Sequence, residues 1–473
     1  MNELTGSTTD KGEPVRQALR YSALVCILLA LLLTFGFAHS TPAASKKGTA
    51  GADAPNVLLI TIDTLRTDRL SIYGYERKTS PNLDRLLGRG ARFTEARTVE
   101  PLTNPALSSM VTSLYPHEHG GTRNGLRMRR GLSSLPKLLD RHGYLTAAFI
   151  GNWTLKNRLS GLGEHFGVYR EVLTKKRWFG LFKGEANAED LTDRALEWLD
   201  TYGGRRRPFL LWVHYVEPHA PYVCHEEYFA QLGIEASKGN PSKSDCYDTE
   251  IAFADHHVGR LLGRIHGDPR LDRRTILFFA ADHGESLGEH GYWGHGRNLH
   301  EPNLHIPLGV TWTGRIEPQV IDAPALLLDT APTVLGLLGL EVPAGFHGQD
   351  WSPVFAGKKA PEARTTWFQA HKGAVLTARE AENARSDGLL QVGMLAGGMK
   401  EILEVNGHDL LLFDLQHDPQ ETRPLVEEDH EPSEELFAWY EQVETGLDQA
   451  GHYPPPVLDE ESVEQLKALG YGR

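Results

Sequence analysis

The sequence predicts an α/β fold, with a mostly parallel sheet covered by helices on both faces and a smaller α+β subdomain after it. Three observations carry this. Four short runs, "NVLLITID" (56–63), "YLTAAFI" (144–150), "PFLLWVHYV" (208–216) and "TILFFAAD" (275–282), are apolar almost throughout, as strands buried on both faces must be. Helical stretches lie between them, at Asn82–Arg89, Leu135–Arg141, Ala188–Tyr202 and Thr249–Ile265, and strands alternating with helices make parallel crossovers. Beyond about Pro361 the pattern changes to shorter strand-like segments at hairpin spacing.

Taken in order, residues 1–54 read as a leader and linker. Tyr21–Ala38 is apolar and uncharged, with Arg16 and Arg20 ahead of it, a length between a long signal-peptide core and a short membrane helix. Ala38-His39-Ser40 offers a small-x-small cleavage site, whereas the polar segment of about 20 residues before the run favours an uncleaved anchor. Either form exports the chain to the cell envelope, on the periplasmic or extracellular side, and the anchored form associates with the membrane through residues 21–38. Residues 39–54 are small and polar, as linkers are.

Residues 55–361 are expected to form the catalytic domain. In the C-terminal part, 362–473, strands are expected around Thr366–Phe368, Leu389–Leu395 and Leu410–Leu415, followed by helices over 432–447 and 459–472. The chain has 473 residues and a net charge of −13, which excludes a nucleic-acid binder that needs a basic face. Of three cysteines, Cys26 lies in the apolar run, leaving Cys224 and Cys246 free to pair in an oxidising compartment.

Ligands of open α/β sheets bind at the carboxyl ends of the strands. Asp63 closes the first run, Asp282-His283 closes "TILFFAAD", and His214 and His219 stand at and beyond the end of "PFLLWVHYV". One acidic residue closing a strand is ordinarily a turn starter or helix cap. Two aspartates and a histidine on one edge point instead to a divalent metal, and their mixed oxygen and nitrogen donors suit Zn²⁺ or Mn²⁺ better than Ca²⁺. In "PLTNPALSS" (101–109), Asn104 and Pro105 read as N-cap and first residue of a helix. That places the Thr103 hydroxyl beside the positive end of a helix dipole, where an anionic ester or a developing alkoxide is stabilised.

Several ordered segments resemble the sulfatase branch of the alkaline phosphatase superfamily. They are "NVLLITIDTLRTDRLSIYGY", "SPNLDRLLGRGARFTEA", "TSLYPHEHG", "VHYVEPHAPY", "ADHGESLGEHGYWGHG" and "LLLFDLQHDPQE", and they run from Asn56 to Asp418. The resemblance implies an alkaline-phosphatase-like fold, metal binding by Asp63, Asp282 and His283, and a nucleophile at Thr103. It also implies that His219 and His295 contact the charged ester oxygens or protonate the leaving group, with His214 a further substrate-binding candidate.

The chain departs from the family pattern as well. Thr103 and Leu107 replace the Cys or Ser and the Arg of the family element, and oxidising a threonine gives a ketone, so no formylglycine is expected. Thr64 stands where a second aspartate is usual, and Asn152 and Thr154 replace the Lys and His of "GKWHLG". "DHGESLGE" with a later "HG" also resembles phosphoethanolamine transferases, which use a threonine nucleophile. The expected function is a metal-dependent hydrolase of sulfuric or phosphoric/phosphonic esters acting on a small ester substrate. The alternatives are a phosphoethanolamine-type transferase acting on an envelope lipid or glycan, and a non-catalytic binding protein on the same fold.

Overall fold

The run "NVLLITI" forms the central strand because every one of its side chains is apolar or shielded: β1 (Asn56–Ile62) is buried at all positions. The computed structural model describes residues 51, 53–173, 176–177, 182–183, 186–235, 241–360, 364–375, 388–407, 409–425, 431–450 and 463–464. The 21–38 run and all but two residues of the expected 459–472 helix lie outside these. Among the described residues, no helix is long and apolar enough to cross a membrane.

Seven further strands complete the main sheet: β2 (Ala91–Arg97), β3 (Leu145–Ile150), β4 (Val168–Glu171), β5 (Phe209–Tyr215), β6 (Thr275–Ala281), β7 (Leu308–Thr311) and β8 (Gln319–Leu326). Their order across the sheet is β8-β2-β7-β6-β1-β5-β3-β4. All neighbours are parallel except β7, which runs antiparallel to β2 and β6. Thr61 of β1 aligns with His214 of β5, and Ile62 with Ala281 of β6. The residues that follow β1 and β6 therefore leave the sheet side by side.

The four runs expected as strands are strands, within a residue or two of the bounds read from sequence. The helices α1 (Pro81–Leu87), α2 (Thr103–Thr112), α3 (Leu135–Arg141), α4 (Ala188–Tyr202) and α5 (Lys243–His266) include every helix expected before residue 270. α5 begins earlier than expected because Ser242 and Asp245 form a capping box, Ser242 Oγ accepting from the Asp245 N–H at 3.1 Å and the Asp245 carboxylate accepting from the Ser242 N–H at 2.9 Å. β8 escaped the sequence reading because it is an edge strand with alternating exposure, and Pro324 sits at its register shift. Cys224 and Cys246 form a disulfide, with Cα atoms 4.3 Å apart, joining α5 to the loop that follows β5.

The C-terminal sheet is antiparallel, formed by β9 (Thr366–His371), β10 (Leu389–Ala396), β11 (Met399–Glu404) and β12 (Leu410–Asp414) in that order. It has its own apolar core with α6 (Glu434–Ala450), built from Phe368, Val392, Ile402, Leu436 and Trp439 among others. The same core takes in Val99, Leu299, Leu304, Leu326 and Leu328 from the first part of the chain, and an ionic cluster adds to this tie. Lys400 Nζ, fully buried, lies 2.8 Å from Glu301 Oε1 and 2.7 Å from Glu421 Oε1, and Arg97 pairs with Glu301 at 2.9 Å. Burial works against both carboxylates. For Glu301, Arg97 and Lys400 more than offset it, and for Glu421, Lys400 does, so both sit below the ordinary glutamate range.

Lys400→Met leaves two buried carboxylates with one cation and is expected to cost about 3–5 kcal/mol in urea unfolding at pH 7. Because the folded pKa values are depressed, this stabilisation is present above the unfolded glutamate pKa of about 4.3 and is lost as pH falls. The stability gap between wild type and Lys400→Met should therefore narrow steadily below pH ~4.

Candidate active site

Asp63 and Asp282 are set by the ends of adjacent strands. The Asp63 N–H donates to Tyr215 O at 2.9 Å and the Asp282 N–H to Ile62 O at 3.3 Å, so each carboxylate begins where the ladder stops. Both residues are fully buried. Asp282 Oδ1 accepts the backbone N–H groups of Thr64 (3.1 Å) and His283 (2.8 Å), while Asp282 Oδ2 has no hydrogen-bond partner among the described residues. Thr64, where a second aspartate was expected from the family, has a left-handed backbone with φ 55°. It is held there by its N–H on Asp282 and by the Tyr247 hydroxyl donating to its carbonyl at 2.6 Å.

His283 is oriented by its own turn. Its Nδ1 lies 2.9 Å from Gly284 O, which only an N–H can satisfy, so the lone pair is on Nε2. A side chain at Gly284 would run into the Pro302 carbonyl, so glycine is required for this turn to pack. His283 Nε2 stands 3.5 Å from Asp282 Oδ2, 3.7 Å from Asp63 Oδ1 and 3.4 Å from Thr103 Oγ1. Four donor groups thus converge, none exposed.

Thr103 is not the residue before a helix, as the sequence suggested, but the first residue of α2, with Leu102 at the cap position. Asn104 does not cap because its side chain is used elsewhere. Its Nδ2 donates to Arg123 O at 3.2 Å and Leu126 O at 2.8 Å, and its backbone N–H donates to Asn124 Oδ1 at 3.0 Å. This fastens the start of α2 to the 123–126 turn. Asn124, which the sequence reading passed over, is fully buried, and its Nδ2 has no hydrogen-bond partner among the described residues. Its signal in the sequence, one Asn in "GGTRNGL", has no periodicity or spacing to mark it.

The remaining expected residues join the same cluster. The His295 ring centroid is 4.5 Å from that of His283 and 5.1 Å from that of His219. His295 Nδ1 lies 3.2 Å from the buried Glu285 carboxylate. His214 is fully buried, with Nδ1 2.9 Å from Thr61 Oγ1 and Nε2 3.6 Å from Asp63 Oδ2. Asn152 donates its amide to Asp63 Oδ2 and accepts at Oδ1 from the Thr154 N–H and hydroxyl, both at 2.8 Å. The two departures from "GKWHLG" are therefore parts of the site, an asparagine amide on Asp63 braced by Thr154.

A second buried pair stands behind Thr103. Glu100, three residues before Thr103, accepts the His371 N–H at 3.0 Å on Oε1, and its Oε2 lies 2.9 Å from His371 Nδ1. Gln369 N–H donates to Val99 O at 3.0 Å, and Arg123 donates to the carbonyls of Lys372, Gly373 and Ala374. The end of β9 is thereby laced to the loop that leads into α2.

The electrostatics call for a cation. Burial and the neighbouring Asp63 charge push Asp282 up to about 6. For His283 burial pulls downward, but Asp282 and Asp63 more than offset it and the net shift is upward. Burial draws His214 and His219 down to about 4, leaving them neutral at pH 7. The carboxylate oxygens of Asp282 and Asp63 and the Thr103 hydroxyl, 3.5, 3.7 and 3.4 Å from His283 Nε2, stand at spacings that fit a divalent ion, since donors at ~2.1 Å from one metal are separated by about 3.4 Å in a tetrahedral shell.

Comparison with known proteins gives the family and the fold. The Sulfatase family model matches residues 55–340. The protein named as the uncharacterized sulfatase YidJ of Escherichia coli (strain K12) is 24% identical over 436 residues, covering 79% of this chain and 83% of its own length. A solved structure in complex with its substrate D-glucosamine-2-N,6-O-disulfate superimposes with a TM-score of 0.65 at 21% identity, covering 85% of this chain and 99% of that one. The phosphonate monoester hydrolase of Agrobacterium radiobacter superimposes equally well, with a TM-score of 0.65 at 20% identity and coverage of 84% and 96%. With an alkaline-phosphatase-like sheet, the site at its carboxyl edge and a family match over more than half its length, the chain belongs to the sulfatase family.

Proposed function

We propose that the protein is an exported, metal-dependent hydrolase of sulfuric or phosphoric/phosphonic esters that uses Thr103 as its nucleophile. The observation that carries this is the position of Thr103 Oγ1, 3.4 Å from His283 Nε2 at the start of a helix and inside a buried carboxylate cluster. Asp63, Asp282 and His283 would hold one divalent ion, Zn²⁺ or Mn²⁺ by the nitrogen in the donor set, and the ion would supply positive charge that acidifies a hydroxyl and polarises the ester.

Thr103 then does the covalent work. Its oxygen attacks sulfur or phosphorus as its proton passes to a neutral histidine, His295 or His219, and as the bond to the leaving alcohol breaks that histidine gives the proton to the alcohol. Glu285 orients His295 for this transfer through Nδ1. In the second half, water attacks the same centre and gives a proton to the same histidine, which passes it to the departing Thr103 oxygen. The Asn124 amide, whose Oδ1 accepts the Asn104 N–H beside Thr103 and whose buried Nδ2 has no partner among the described residues, would be a further donor to a non-bridging ester oxygen. No formylglycine is involved.

Export is supported by the apolar 21–38 run and by the Cys224–Cys246 pair, which oxidising compartments preserve. The same run would tether the protein at the membrane. A second reading, transfer of the group to an envelope lipid or glycan, is favoured by the threonine nucleophile. It is distinguished by where the cleaved group ends up when an acceptor is added.

A panel of aryl sulfate, sulfated amino sugar, phosphonate monoester and phosphate diester identifies the substrate. On the best of these, Thr103→Ala should retain fold and metal but lose about 10³-fold or more in kcat. Undiminished turnover would remove Thr103 from the mechanism, and no turnover of any ester by wild type would favour a binding protein. Chelator should abolish activity, Zn²⁺ or Mn²⁺ should restore it, and Asp282→Asn should lose the ion by elemental analysis. His371→Leu, which breaks the pair behind the nucleophile, should lower kcat by about 10-fold or more with little change in KM, because a small misplacement of a reacting group is costly. Glu100→Ala should reproduce this, and the double variant should be no worse than either single one.

A further inference from the structure

The Thr64 position lacks the carboxylate that the family uses there, yet the cluster is not short of donors. We propose that His214 is itself a ligand of the metal, so that two aspartates and two histidines form the protein's donor set. This rests on the proposed metal site and extends it by one residue from a neighbouring strand.

Three features support it. Asp63, His214 and Asp282 each place one ligand atom within 4.8 Å of the other two, with no exposure at any of them. His214 Nε2 and Asp282 Oδ2 are both buried without a hydrogen-bond partner among the described residues. Such orphaned polar atoms are costly unless something is bound between them.

The third feature is the fixing of the ring from behind. Trp212 Nε1 donates to Thr61 Oγ1 at 2.9 Å, and Thr61 Oγ1 lies 2.9 Å from His214 Nδ1. With Nδ1–H donated to Thr61, the Nε2 lone pair points at the carboxylates. This is the arrangement by which metal-bound histidines are oriented, a hydrogen bond on one nitrogen and the ion on the other. Trp212 and His214 share one face of β5, so the whole relay is built from the alternation of two paired strands. A structural histidine held by Thr61 alone would leave Nε2–H 3.6 Å from Asp63 Oδ2, too far for a hydrogen bond.

The consequence is metal selectivity. A second imidazole moves the site away from the all-oxygen shells of Ca²⁺ and Mg²⁺ and toward zinc and similar ions.

The test is X-ray absorption on the full chain loaded with one equivalent of Zn²⁺. Two imidazoles should be counted in wild type and one in His214→Leu. Zinc affinity, measured by chelator competition, should fall by more than 100-fold in His214→Leu. Thr61→Val, which removes only the hydrogen bond behind the ring, should keep two imidazoles and lose about 10–100-fold, the range typical of outer partners. Affinity loss alone could come from an outer role, so the imidazole count decides. One imidazole in wild type overturns the inference while leaving the metal site intact, and that count needs no variant to fold. Failure of wild type to take up zinc in stoichiometric amount removes the metal site itself, and the inference with it.

Discussion

Two like charges buried side by side are the constraint around which this molecule is arranged. Asp63 and Asp282 end neighbouring parallel strands with no exposure, and two carboxylates in that position repel each other and resist desolvation. The surrounding structure answers with directed polarity. Backbone N–H groups of Thr64 and His283 converge on one oxygen of Asp282, the Asn152 amide donates to Asp63, and His283 turns its lone pair inward. What these groups leave unfilled is positive charge at the centre, which is where a divalent ion and then an anionic ester fit.

The C-terminal sheet is more than an appendage to this centre. Its first strand ends at His371, which holds Glu100 three residues before Thr103, and the carbonyls beyond it receive Arg123 from the turn that fastens α2. Lys400 closes the other side through Glu301, whose partner Arg97 ends β2. The loop from β2 to α2 is therefore held at both ends by the second sheet. Thr103 owes its position to elements far from it in sequence, and a buried pair such as Glu100–His371 fixes one geometry where apolar contacts would tolerate several.

Much of this was legible in the sequence, for definite reasons. Strands buried on both faces leave continuous apolar runs, so the central strands and the acidic residues closing them could be read directly. Asp63, Thr103, His219, Asp282, His283 and His295 converge as the motifs implied. The half-exposed edge strand β8 and the four-residue β7 lacked such a run. Asn124, Glu100 and His371 were missed because their importance lies in pairings across 20 and 271 residues, which no local pattern encodes. The capping role read for Asn104 failed for the same reason, since its amide is claimed by a turn beyond the end of α2. His214 was visible as a candidate, but only the strand register shows which neighbours it faces.

The exchange of a lysine for Asn152 has a further consequence. A lysine at that place would be a permanent positive charge, neutralising part of Asp63 and attracting an anion whether or not metal were present. The amide steadies the same oxygen and contributes no charge. In the proposed enzyme no lysine charge would compete with the ion at Asp63, and the attraction for the ester's negative oxygens would fall to the ion as well. In the proposed metal-dependent enzyme binding would then acquire an order: without metal the pocket would present two carboxylates to an anionic substrate and turn it away, and with metal it would admit it. Occupancy by the proposed cation would be the gate, and the supply of that cation would set how much of the protein is open to substrate.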